Sequence, residues 1–186
     1  PVTFPGRTPA VFIDDASAAA KVAEMFWQRG HRRFGIINGP VEHGAAVARR
    51  KGFIERLQQL SPGVHVSEAY GGFQFEGGIA AGQELMSARR YPTAIFAVND
   101  DSAAGAIVGC HQSGYTVPVD VSICGFDDSW IAKSVWPYLT TVHQPIEDMA
   151  YAAAIHLLDR ARSADENPQV YLDFSLIERD SVSGVP

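Results

Sequence analysis

The feature that most constrains this chain is an alternation. Short apolar runs, most closed by glycine, proline or acidic residues, take turns with longer stretches whose apolar positions recur at helical spacing. Residues 10–13, 34–37, 64–70, 94–98 and 121–124 are the expected strands; 17–29, 45–60, 77–88 and 102–113 are the expected helices. The first helix carries Ala19, Val22, Ala23 and Phe26 on one stripe and Lys21, Glu24 and Gln28 on the other, with Gly30 as its stop. The second places Val47, Phe53, Ile54 and Leu57 inward. Strands joined through helices must run parallel, and a parallel sheet needs helices on both faces.

In such sheets ligands sit at the carboxyl ends of the strands. The segment Val117-Pro118-Val119-Asp120-Val121-Ser122-Ile123-Cys124-Gly125-Phe126-Asp127-Asp128 puts two carboxylates there, after a proline stop and a buried run. Asp127 is the expected ligand anchor. Asp128 is expected to cap a short helix over 129–135.

Beyond this segment the rhythm changes. Residues 139–142 are extended, and Pro145 precedes a long helix with Ile146, Met149, Ala153, Leu157 and Leu158 as its apolar stripe. Residues 163–169 form a polar loop, 170–177 a final strand, and 180–186 a tail; 1–4 are a further short strand and 5–9 a loop. The central units leave the flanks in need of a partner. The expected division is therefore 1–30 with 139–163 as part of one lobe, and 31–138 with 164–186 as the other. Three crossings between lobes make a hinge around a cleft.

Composition narrows the function. A formal charge of −6 and a pI near 5.4 argue against this chain holding a polyanion by itself. Cys110 and Cys124 lack metal-type spacing and read as reduced core residues, as expected of a cytoplasmic protein. No long apolar run suggests a membrane span, and no cofactor or metal motif is present. The chain opens at Pro1 without methionine, as a piece of a longer protein would.

Six motifs then appear in register: Gly30-His31-Arg32-Arg33; Asn38-Gly39-Pro40; Arg49-Arg50-Lys51-Gly52-Phe53; Pro92-Thr93-Ala94-Ile95-Phe96 with Asn99-Asp100; Val117 to Asp128; and Leu139-Thr140-Thr141-Val142 with Gln144-Pro145. Together they resemble the effector-binding core of LacI/GalR-type transcriptional regulators. The resemblance implies a periplasmic-binding-protein-like α/β fold, with a Rossmann-like parallel sheet covered on both faces. It implies a complete C-terminal lobe and only part of the N-terminal lobe. It further implies an upstream helix-turn-helix domain, absent from this chain, through which alone operator DNA would be bound.

Carried over residue by residue, the resemblance puts Asp127, Arg49, Asn99 and Phe73 on the cleft face, with His43 where some relatives use a polar contact. Their chemistry suits vicinal hydroxyls or the edge of a base: Arg49 offers a planar donor fork, Asn99 a donor and an acceptor, Asp127 two acceptors, and Phe73 a stacking face. Each has a plainer reading. The run Arg49-Arg50-Lys51 suits a solvated helix face, Asn99 can cap the following helix, Phe73 can pack a loop, and His43 can be a surface residue. Asp14 or Asp15 could reach the cleft from the N-terminal lobe, but a cap for the helix beginning near Ala16 is the expected role. The resemblance also assigns a homodimer surface, with Trp130, Ile131 and Trp136 as anchors.

The leading expectation is a non-enzymatic sensor of a sugar or nucleoside-like effector. The alternative is the sugar-binding receptor of an ABC transporter. A phospho-acceptor domain, suggested by Phe12-Ile13-Asp14-Asp15, lacks a matching acceptor aspartate and lysine at usable spacing.

Overall fold

A computed structural model describes residues 10–160 and 169–185. Its elements are β1 (Ala10–Phe12), α1 (Asp15–Gln28), β2 (Phe34–Asn38), α2 (Gly44–Leu60), β3 (Val66–Tyr70), α3 (Phe75–Ser87), β4 (Ala94–Ala97), α4 (Asp100–Gln112), β5 (Ser122–Asp127), β6 (Thr140–His143), α5 (Ile146–Arg160), β7 (Gln169–Tyr171) and β8 (Ser175–Ile177). Six strands form one sheet in the order β3-β2-β4-β5-β6-β8, parallel except for the β6–β8 pair. A second sheet pairs β1 with β7 in parallel.

Alternation along the strands divides the core between the two faces of the large sheet. Ile36, Phe96, Cys124 and Phe126 point to the side covered by α1 and α2; Ile37, Ile95, Ala97 and Ile123 point to the side of α3 and α4. Every one of these residues is buried. Full cover of both faces is what strands without a polar side require.

Several expectations change here. Helix α1, expected in the first lobe, buries Ala18, Ala19, Val22, Ala23 and Phe26 in the large sheet's core. Small residues make that possible: a Cβ at Gly52 of α2 would lie 2.1 Å from the carbonyl oxygen of Ala16. Val47, expected inside, is exposed. The expected final strand is two strands, β7 beside β1 and β8 on the large sheet. The tail is anchored as well. Ser181 is fully buried, donates to the Ile123 carbonyl (2.6 Å) and accepts from the Thr140 amide (2.8 Å). A hydroxyl supplying both partners joins what periodicity reads as a polar end. Residues 1–9 and 161–168, which include the expected first strand and most of the polar loop, lie outside the described residues, as does Pro186.

Candidate ligand-binding site

Sheet order fixes where a ligand can sit. From β2 the chain turns outward to β3, then returns past β2 to β4, so the loops after β2 and β4 diverge and leave a crevice. A cavity of about 920 Å³ opens there, walled on the other side by β1, β7 and the start of α5. Asp127, Arg49, Asn99, Phe73 and His43, drawn from different loops and helices, all line it.

Arg49 is the centre of the polar set. It lies on the inner face of α2, 6% exposed, whereas its sequence neighbours face solvent: Arg50 pairs with Glu68 (Nη2–Oε1 2.5 Å) and Lys51 lies 3.9 Å from Glu55. Its Nε donates to Asp15 Oδ1 (2.7 Å) and its Nη1 to the Val98 carbonyl (2.8 Å), with Asp127 Oδ1 at 3.4 Å. The guanidinium carbon stands 3.6 Å from the centroid of the Phe126 ring. A planar cation can meet two carboxylates, a carbonyl and an aromatic face at once; an ammonium cannot.

Asp127 ends β5 and accepts from Gln144 Nε2 (2.6 Å). Burial pushes its carboxyl up to about 6 against the pull of Arg49 and Gln144, with Asp101 and Asp15 adding to the rise. Its φ is +121°, and those of Asp128 and Phe73 are +55° and +64°, a region that side-chain-bearing residues seldom occupy. Such backbone persists only where surrounding contacts hold it, and two of the three positions, Asp127 and Phe73, line the cavity. At Phe73 the holding contact is visible. Its ring lies where a Cβ on Gly39 would be, 2.6 Å from the ring edge, and meets His43 edge-to-face with centroids 5.0 Å apart. The opposite wall carries the Phe12–Tyr171 pair, T-shaped at 4.3 Å.

Asn99 is the cap of the following helix and also lines the cavity. Its Oδ1 accepts from the Ser102 amide (3.2 Å) as the cap of α4, and its Nδ2 donates to the Phe73 carbonyl (3.2 Å), linking two cleft loops. His43 has a buried Nδ1 without a protein partner, and burial, with Arg49 nearby, lowers its pKa. Burial therefore favours the neutral imidazole at the cavity wall. Asp14 is the expected cap, accepting from the Ser17 amide (2.9 Å), but Asp15 is not a cap; it reaches into the cleft.

Asp128 is not a helix cap. It pairs with Arg179 and with His143 (3.2 Å), and the segment after it is a short 3-10 turn, Trp130–Lys133. The Ser129 amide is taken instead by Asp100 Oδ2 (2.7 Å), whose Oδ1 accepts from Thr141 (2.6 Å); burial pushes the Asp100 carboxyl up to about 7. Of the expected interface anchors, Trp130 and Trp136 are exposed, while Ile131 turns inward, 8% exposed, and cannot face a partner.

With this geometry in place, the chain can be set beside known proteins. The periplasmic binding protein-like domain family matches residues 23–182. The chain belongs to that family. It is 36% identical over 179 residues to the HTH-type transcriptional repressor PurR of Escherichia coli O1:K1, covering 94% of this chain and 52% of PurR. It thus spans about half the length of the curated relatives it matches. An uncharacterized protein of Actinobacillus succinogenes shares its structure with a TM-score of 0.91 and 30% identity, over 97% of this chain and 68% of that one. A LacI family regulator of Enterococcus faecium with bound ribose gives 0.90 and 26%, over 99% and 68%. The regulator CelR in complex with cellobiose gives 0.87 and 33%, over 97% and 56%. These relatives place this periplasmic binding protein-like chain among effector-binding cores of the LacI/GalR type.

Sequence reasoning missed Gln144, Phe12 and Tyr171 as cleft residues, and gave Asp15 the cleft only as the lesser alternative to a cap. Gln144 stood in a quoted motif without a role, and its position directly after β6, the strand beside β5, was the available signal. For Tyr171 there was none, because only the β1–β7 pairing brings it to Phe12.

Proposed function

We propose that this periplasmic binding protein-like chain is the effector-sensing core of a LacI-type transcriptional regulator. It takes a sugar or nucleoside-like molecule into the cleft, and an upstream helix-turn-helix reads operator DNA. The observation that carries this reading is the cavity itself. It sets a convergent polar group (Asp127, Arg49, Asn99 and His43) between aromatic surfaces, and its walls come from two separate sheets. Hydroxyl groups match the carboxylate and the donor fork, and an aromatic ring suits the hydrophobic face of a sugar or base. Gln144 and Asp15 connect the two walls to Asp127 and Arg49, so a ligand that inserts between these groups changes what each wall holds. That differential contact is what a sensor needs to shift between two states.

The ribose and cellobiose bound by related regulators support a carbohydrate effector, and the regulators among the relatives favour a transcriptional role over transport. In this reading the protein acts in the cytoplasm as a homodimer through the exposed Trp130 and Trp136, needs no cofactor and catalyses nothing. Among the described residues no helix is long and apolar enough to cross a membrane.

The test is calorimetry of the full-length protein against a panel of pentoses, disaccharides and nucleosides, followed by operator binding with and without the compound that binds. Asp127→Ala is expected to weaken that compound by roughly 1.5–3 kcal/mol, the scale of a hydrogen bond to a charged group. Unchanged affinity removes Asp127 from the site, and operator binding indifferent to every bound compound refutes the sensor role.

A further inference from the structure

The end of the large sheet opposite the cleft carries a second concavity, of about 390 Å³, lined by Trp27, Arg32, Arg33, Ser61, His65 and Arg90 among others, with no carboxylate in its wall. Its charge runs against the rest of the molecule, whose net charge is −6. Among the described residues, Arg29, Arg49, Arg50, Arg56 and Arg179 each pair with an acid. Arg32, Arg33, Arg89 and Arg90 do not; three of them line this groove, and Arg89 adjoins the third.

One of the guanidinium groups is held in place before any ligand arrives. Arg32 lies 3.7 Å over the Trp27 ring and donates through Nη1 to the carbonyls of Trp27 (3.0 Å) and His31 (2.7 Å), which leaves the other edge of its fork open. Arg33 stands over the Tyr91 ring at 5.4 Å, with its backbone carbonyl fixed by the amides of Thr93 and Ala94. The fixed fork of Arg32 loses little side-chain entropy on binding. The Ser61 and Ser67 hydroxyls add neutral donors, and Gly63, at φ +83° with open space around it, leaves the rim unobstructed.

We infer that this groove is an anion site for a phosphate monoester of small-molecule size, separate from the cleft. A phosphate dianion offers the acceptor oxygens that several guanidinium forks require, and a volume near 390 Å³ holds such a molecule. Helix α1 links the two sites, with Asp15 in the cleft at one end and Trp27 in the groove at the other. Its 14 residues span about 21 Å at 1.5 Å per residue, too far for one small ligand to reach both.

The experiment is an NMR titration of the protein with inorganic phosphate and, separately, with a pentose monophosphate. Saturable shifts at the Trp27 indole and the Gly63 amide are expected, with Phe73 and Asn99 still. Arg90→Gln should weaken binding about tenfold, the scale of one charge-assisted hydrogen bond. Its denaturation midpoint should stay unchanged, because Arg90 is exposed and has no carboxylate partner. Asp127→Ala should leave the titration unaltered. Tighter binding of the pentose monophosphate than of phosphate is the result expected of a monoester site; equal or weaker binding overturns the monoester. Absence of saturable shifts with both probes, shifts confined to Phe73 and Asn99, or unchanged binding in Arg90→Gln overturns the proposal.

Discussion

Replacing Arg49 by methionine tests whether the cleft is held together by one cation. The loss has identifiable parts: a charged hydrogen bond to Asp15, another to the buried Val98 carbonyl, a longer contact with Asp127 and the stacking on Phe126. Charged hydrogen bonds are worth about 1.5–3 kcal/mol each and a desolvated cation–π contact about 2, which would sum to well over 5 kcal/mol. Two effects reduce this. Methionine refills the aliphatic stem and removes the desolvation cost of the guanidinium itself, and the side chains of Asp15 and Asp127 keep 19% and 30% exposure, so water partly screens the stranded carboxylates. The expected net loss is about 3 kcal/mol, at the lower end for breaking a buried pair. With a urea slope of about 2 kcal/mol/M, the denaturation midpoint falls by about 1.5 M. The Asp127 carboxyl also loses the charge that pulls its pKa down and moves above its present value of about 6. Adding Asp127→Asn to Arg49→Met should therefore restore part of the stability, since a stranded carboxylate is gone. A fall below about 1 kcal/mol, or no recovery in the double variant, refutes the idea that this network holds the cleft walls.

Three further outcomes follow from other parts of the molecule. Asp100 has a folded pKa of about 7 against an ordinary 3.8, so its contribution to stability is present below pH 3.8 and is lost as pH rises through 7; at 1.36 kcal/mol per unit the difference reaches about 4 kcal/mol. Asp100→Asn should therefore gain stability relative to the parent as pH rises from about 4 to 7 in urea titrations, and parallel curves would show that Asp100 does not titrate there. Gly52→Ala puts a methyl against the Ala16 backbone and should cost about 3 kcal/mol or more by forcing α1 away from α2; a loss under about 1 kcal/mol would mean that the helices yield freely. Trp130→Glu should convert a dimer to a folded monomer in sedimentation runs, because Trp130 is 77% exposed and outside the chain's own core; identical sedimentation of parent and variant removes this surface from assembly.

Local periodicity determined much of this protein by itself. Apolar runs of strand length and helical stripes such as Ala19, Val22, Ala23 and Phe26 require a covered parallel sheet, since neither can leave its apolar side in water. A carboxylate after a buried strand falls at the cleft end of the sheet, and so Asp127 was legible as a cavity-lining residue, as were Arg49, Asn99, Phe73 and His43 through the family resemblance. What the sequence could not carry is any relation set by through-space distance. Arg49 and Arg50 are adjacent and chemically alike, yet the rotation of α2 sends one beneath Asp127 and the other to Glu68. Asp128 resembles a cap until Arg179, far along the chain, is folded beside it. Ile131 and Trp130 are neighbours in one apolar cluster, and only packing decides that the first is core and the second surface. Helix α1 precedes the large sheet in the chain, but the close approach permitted at Gly52 draws it into that sheet's core. The physical reason is the same in each case. Periodicity records which side of an element avoids water, while the partner on that side is chosen by tertiary distances that no local pattern contains.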